Sequence, residues 1–352
     1  MNDTRRARQF ISWAIATIVL LYLVILAGSV VRASGSGMGC PDWPKCFGYY
    51  IPPTDPSQVE FHANQAYKKN MMIIVSDTLW RAKADFTSAG SFDKVNWEKY
   101  PVHNYAKFYV YQTWTEYINR LVGALSGLSM FIMGIFSLFT WKKDRRIVML
   151  MLLAAFLLGF VAWMGKVVVD QNLKPLTITV HMGSAFALVA ISIYTLFRVR
   201  NLYSFGKQQE VPGGVYWLLA GVFLLTLIQV FVGTQVRQDV DAVNKVMDNL
   251  HRETWIRQLS GIFSLHWLLS LPVIILNGFL FVRLRRLPLD ALSKKIAWWM
   301  IVLLVSEYAV GLILSQFGIP AFAQPVHLLF AAIVFGLQFS LVTNLYAGKK
   351  TV

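Results

Sequence analysis

His181, His266 and His327 each lie near the start of an apolar stretch of roughly 20 residues, long enough to cross a membrane. A fourth comparable position is held by Asn119, in the segment Glu116-Tyr-Ile-Asn-Arg120. Ionisable groups inside membrane spans are costly and mark function. Neutral imidazole ligates iron readily, and histidines repeated at one depth on separate helices read as axial haem ligands. A single such histidine is as readily a hydrogen-bonded packing residue; three at matched positions favour ligation. Asn119 breaks the set, because an amide is a poor iron ligand.

Other residues carry chemistry nearby. Glu116 lies three residues before Asn119, so both project from one helix face. A buried carboxylate beside an iron can relay protons or stabilise a cationic intermediate; the alternatives are a pair with Arg120 or exposure to water. Cys40 and Cys46, the two cysteines of the chain, enclose Pro-Asp-Trp-Pro-Lys. They read as a disulfide or as a redox-active pair. A c-type haem attachment is excluded, since Cys-x-x-Cys-His is absent, and zinc is disfavoured without a neighbouring histidine. Glu307 falls in the middle of an apolar stretch and needs a partner, with Gln229 or a haem edge as candidates. His62, His103 and His251 fall between the stretches and read as solvated, with His103 also a candidate substitute ligand.

These residues need elements to position them. The chain has 352 residues, 56% of them hydrophobic, too apolar for an ordinary soluble domain. Eight stretches read as transmembrane helices: 11–31, 113–139, 147–168, 177–197, 215–235, 258–281, 296–315 and 325–346. The fold expected is all-α, a polytopic membrane protein. The net charge of +15 is a matter of topology rather than of nucleic-acid binding, since no soluble domain is left to carry a basic patch. With a cytoplasmic N-terminus, the inside segments carry 17 Lys/Arg against 4 acids, while the outside segments are near balance. Both termini are then cytoplasmic. The first apolar run is too long for a signal peptide and lacks a cleavage site, and Cys40 is too far from it for a lipoprotein anchor. No mitochondrial transit sequence is evident, so a bacterial cytoplasmic membrane is expected.

The eight helices divide into two parallel four-helix repeats, 1–200 and 201–352. Gly165 to His181 and Gly311 to His327 are both 16 residues apart. Gly28-Ser-Val-Val-Arg32 ends the first helix as Gly233-Thr-Gln-Val-Arg237 ends the fifth. Equal orientation of the halves makes this a repeat about the membrane normal. The repeat sets Phe263 opposite Glu116, so only the first half has the carboxylate. The long outer loop, 32–111, and its shorter counterpart, 236–257, are expected to be folded caps with short helices, such as one over Ser57–Lys69.

The segment Gly35-Ser-Gly-Met-Gly-Cys-Pro-Asp-Trp-Pro-Lys-Cys-Phe-Gly48 resembles the first outer loop of the haem A synthase family. Glu116-Tyr-Ile-Asn-Arg120 resembles that family's Glu-x-x-His-Arg motif, with Asn119 in place of histidine. His181, His266 and His327 match its remaining ligands; Trp267 stands where arginine is frequent. The resemblance implies oxidation of a haem O methyl group to a formyl group, giving haem A for cytochrome oxidase. It implies haem b between His266 and His327, substrate haem O between the second and fourth helices, and Glu116 as catalytic acid. With Asn119, the substrate haem would be held by His181 alone or by a loop ligand, giving a five-coordinate, high-spin iron. Haem O synthase and cytochrome oxidase assembly proteins are the partners implied. From charge and depth, Arg32, Arg120 and Arg237 are candidates for the haem propionates. The alternative function is a non-catalytic haem b membrane protein for electron transfer or haem delivery. A transporter is disfavoured, because the polar residues cluster away from the midplane.

Overall fold

The computed structural model describes residues 3–100, 107–170, 175–247 and 250–348, apart from the side chains of 169, 170, 175 and 176. Eight helices among them are long and apolar enough to cross a membrane. They are α1 (Asp3–Ala33), α2 (Val110–Ser137), α3 (Arg145–Asp170), α4 (Pro175–Leu202), α5 (Gly213–Met247), α7 (Gly261–Arg285), α8 (Ala291–Gln316) and α9 (Ala323–Asn344). A ninth, α6 (Trp255–Gln258), is a single turn. The chain is thus an all-α, multi-pass membrane protein, as its apolar stretches predict. A helix satisfies its own backbone where no water can.

The helices overrun the expected spans. The 35 residues of α5 extend about 52 Å at about 1.5 Å per residue, against a hydrocarbon core of about 30 Å. Its last turns stay helical because they have an apolar partner: Val240 packs with Trp255 and Ile319, flanked by Val243 and Met247. The 236–257 connection is therefore largely α5 itself, closed by α6.

The chain forms two compact units. One comprises residues 3–26, 125–159 and 182–348. In it α8 packs along α9 and α5 along α7, with α5 also against α9 and α7 against α8. A buried polar cluster ties three of these helices: Gln338 Nε2 donates to Thr226 Oγ1 (3.0 Å) and to Asn277 Oδ1 (2.9 Å). Strand β6 (Gln209–Val211) pairs in parallel with β7 (Leu345–Ala347).

The other unit comprises residues 27–124 and 160–181. Beside its helices it holds a small β cap. Strands β2 (Met72–Val75), β3 (Thr78–Ala82) and β5 (Trp97–Lys99) form an antiparallel sheet, and β1 (Ala66–Tyr67) pairs with β4 (Phe86–Thr87). The helix expected over Ser57–Lys69 is a single 3-10 turn at Pro56–Val59. The side chain of Asp55 and that of Gln58 close that turn on itself as a capping box. The β-branched and aromatic residues that follow then turn side chains into two cores, one of them formed by Tyr67, Ile73, Ala82 and Trp97. The Cys40–Cys46 loop adds a second core with Phe47, Val59, Met72, Leu79 and Tyr100.

Candidate functional site

His266 on α7 faces His327 on α9, with ring centres 6.3 Å apart and ring planes at 83°. Each ring lies against a glycine of another helix. A Cβ at Gly233 of α5 would stand 2.9 Å from His266 Cε1, and one at Gly311 of α8 would stand 3.3 Å from His327 Cε1. The other two candidate positions show the arrangement more loosely. Gly165 of α3 faces His181 Cε1 and Gly28 of α1 faces Asn119 Oδ1, each with 3.7 Å for a Cβ. Glycine inside a helix costs roughly 1 kcal/mol relative to alanine; here it admits a ring against the backbone.

Burial leaves polar atoms in need of partners. Nδ1 of His181, His266 and His327 and Oδ1 of Asn119 are buried without a hydrogen bond. His327 Nδ1 lies 3.1 Å from Glu307 Oε1, within ion-pair reach but off the line of a hydrogen bond. Gln229, one turn before Gly233, donates from Nε2 to the His266 carbonyl at 2.9 Å. The partner of Glu307 is thus His327, and that of Gln229 is the His266 backbone. Neither was decidable from sequence.

The paired rings fit a haem. With metal–nitrogen bonds of about 2 Å, His266 and His327 would have room to hold an iron between their rings. No group of three or more His, Cys, Asp or Glu that could hold a bare metal ion occurs among the described residues. Two facing histidines suit a metal whose remaining ligands come from a macrocycle.

In the other unit, Glu116 and Arg120 grip the cysteine loop. Cys40 and Cys46 form a disulfide. Glu116 is buried, its Oε2 accepting the Cys40 N–H at 2.9 Å and its Oε1 lying 2.5 Å from Arg120 Nη2. Arg120 Nη1 donates to the carbonyls of Asp42 and Lys45, both at 2.9 Å, and Nη2 donates to that of Cys40 at 3.5 Å. Thr113 Oγ1 donates to the Gly39 carbonyl at 2.8 Å. Gly39 must be glycine, since a Cβ there would meet the Gln112 backbone at 2.6 Å. Asp42 closes the loop by accepting the Gly48 N–H at 2.9 Å. Burial pushes its carboxyl above the ordinary range, opposed by the Gly48 and Phe47 amides and by Arg120.

The remaining candidates are dispersed. Arg32 ends α1. Arg237 pairs with Asp241 at 2.8 Å and donates to the Gln324 side chain. His62 bonds the Ser57 carbonyl at 2.7 Å, and His251 is exposed beside Glu253. His103 lies outside the described residues. A pocket lined by Asp144, Tyr194, Arg198 and Asn201 contains none of the candidate residues.

The profile of the COX15-CtaA family, described as cytochrome oxidase assembly protein, matches residues 11–86 and 94–339. The chain belongs to this family. The family match spans both units, and its one gap falls in the β cap, between β4 and β5. Curated relatives carry the name Heme A synthase. That of Rickettsia prowazekii is 22% identical over 347 residues, covering 92% of this chain and 94% of the relative. That of Flavobacterium johnsoniae is 19% identical over 351 residues, with the same coverage of each. That of Shewanella oneidensis is 23% identical over 209 residues, 59% of this chain and 51% of the relative, so that alignment spans about half of that protein.

Proposed function

We propose that this chain is a haem A synthase that oxidises the methyl group of haem O to a formyl group, for cytochrome oxidase. The observation that carries this reading is the perpendicular His266–His327 pair, 6.3 Å between centres, in a chain of a cytochrome oxidase assembly family. His266 and His327 would hold haem b, which when bound supplies an iron able to pass electrons. The net conversion, R–CH3 + O2 → R–CHO + H2O, would take four electrons from the methyl carbon with dioxygen as their acceptor, through hydroxylated forms of the substrate.

The chain's own residues bind, orient and manage protons. His181 is the one imidazole at the first-half ligand positions, so substrate haem O would be ligated from a single side. Asn119 across from Gly28 offers an amide that orients by hydrogen bonding. Glu116 is the carboxylate one turn from Asn119 and would be the catalytic acid. Both its oxygens are held by donors, so it would give or take a proton only at the oxygen that releases the Cys40 N–H, while Arg120 keeps it in place. Arg32, in the last turn of α1, and Arg237, ten residues before the end of α5 and paired with Asp241, would meet propionates. Arg120 has its fork turned to the cysteine loop, which supports a loop-holding role. In this reading the halves 1–200 and 201–352 are parallel repeats, which the four glycine–ligand pairs support. The protein would sit in the bacterial cytoplasmic membrane, termini inside, receiving haem O from its synthase and delivering haem A to oxidase assembly proteins.

The engaged carboxylate of Glu116 and the amide at position 119 favour a second reading, a haem b protein that carries electrons or delivers haem. Haem extraction from a host that makes haem O but no haem A separates the two. Haem A appearing with this chain, and lost in Glu116→Ala while haem b stays, supports the synthase. Haem b alone in a folded protein, with haem O untouched and a reductase present, sinks it.

A further inference from the structure

We propose that Glu307 is the positioning residue of the His327 ligand: it accepts a hydrogen bond from Nδ1–H, fixes the ring, and leaves Nε2 to face His266. The inference rests on the haem b reading above. Glu307 and Gly311 are one turn apart on α8, so both present to the same ring. Gly311 supports the Cε1 edge of His327, and the Glu307 carboxylate lies 3.1 Å from the adjoining Nδ1. A small ring rotation brings that contact into line as a hydrogen bond.

The carboxylate has little else to do. Its Oε2 is buried and unpartnered, and 15% of its side chain is accessible. A buried acid with one oxygen on a histidine and the other on nothing is expensive to keep. Metal-ligating histidines characteristically donate their second ring N–H to a carboxylate or carbonyl, which sets the tautomer and raises ligand basicity. The same place on α5, one turn before the glycine, holds the uncharged Gln229. Its Oε1 and the facing His266 Nδ1 are both buried without partners. The two histidines thus have unlike neighbours, a carboxylate beside the His327 ring and an amide bonded to the His266 backbone. The first half has Val161 and Val24 at these places, so only the paired-histidine site carries polar side chains there.

The test uses full-length protein purified from membranes as wild type, Glu307→Gln, Glu307→Leu and His327→Ala. Haem b content, the ferric EPR spectrum and the midpoint potential are measured. Glu307→Gln keeps an acceptor without the charge. It is expected to retain haem b and a low-spin spectrum while the midpoint potential rises, where a tenfold change in ferric-over-ferrous preference reads as about 59 mV. Glu307→Leu is expected to lose haem or show a high-spin fraction. If it does not fold, Glu307→Gln alone decides. Both variants matching wild type in spectrum and potential, while His327→Ala loses its low-spin haem, would overturn the role of Glu307 and leave the haem site standing. Equal haem content and spectrum in wild type and His327→Ala would overturn the haem b assignment and this inference together.

Discussion

At the scale of single residues, glycine spacing predicts a graded response. Gly233→Ala puts a methyl 2.9 Å from His266 Cε1, so the ring must leave its place. Overpacking of this kind costs about 1–3 kcal/mol. Gly165→Ala meets His181 at an ordinary 3.7 Å, where the helix gains up to about 1 kcal/mol. The low-spin haem signal is therefore expected to fall in Gly233→Ala, less in Gly311→Ala, and not in Gly165→Ala, which should melt no lower than wild type. Equal losses in all three would defeat the account. Asn119→His restores an imidazole opposite Gly28. With haem O present, its spectrum should turn from high-spin to six-coordinate low-spin, and an unchanged spectrum would show that position 119 is not at the iron. The three histidines were legible in the sequence because an ionisable group in an apolar run stands out. The partners of Glu307 and Gln229 were not, because they depend on how α8 and α5 are rotated against α9 and α7.

At the scale of elements, the cysteine loop is held by more than its disulfide. Arg120 spans three loop carbonyls and Glu116 with one planar fork, a geometry a lysine ammonium cannot reproduce. Arg120→Met leaves Glu116 with the Cys40 amide alone, at a cost of roughly 3 kcal/mol for a broken, largely buried pair. Limited proteolysis within 40–50 should speed up strongly in Arg120→Met and by a lesser amount in Arg120→Lys. Unchanged cleavage in both would remove the arginine from the loop's support. The eight long helices were readable from hydropathy, and the cysteine loop from its motif. The β cap was not. A capping-box signature at Asp55-Pro-Ser-Gln58 reads locally as a helix start, and nothing within 57–69 shows that only one turn follows. The strands depend on pairing across the cap, such as Trp80 with Lys99, which no local window contains.

At the scale of the whole molecule, the basic segments carry the topology proposed above. By the positive-inside rule, Arg5, Arg6 and Arg8 before the core of α1, the 142–146 cluster and Arg283, Arg285 and Arg286 at the end of α7 would all lie on one side. Fluorescent-protein fusions at residue 144 or at the C-terminus should fluoresce in the cytoplasm, whereas a phosphatase fused within the β cap should be active outside. Activity of a phosphatase fused at residue 144 would invert the assignment. The parallel β6–β7 pairing bears on the order of synthesis. Residues 209–211 leave the ribosome immediately before α5, and their backbone partners, residues 345–347, follow only after α5 and α7–α9. The β6 edge therefore waits, unlatched, through the insertion of four long helices. A chain that stops before residue 345 keeps the eight long apolar helices described and lacks the clasp.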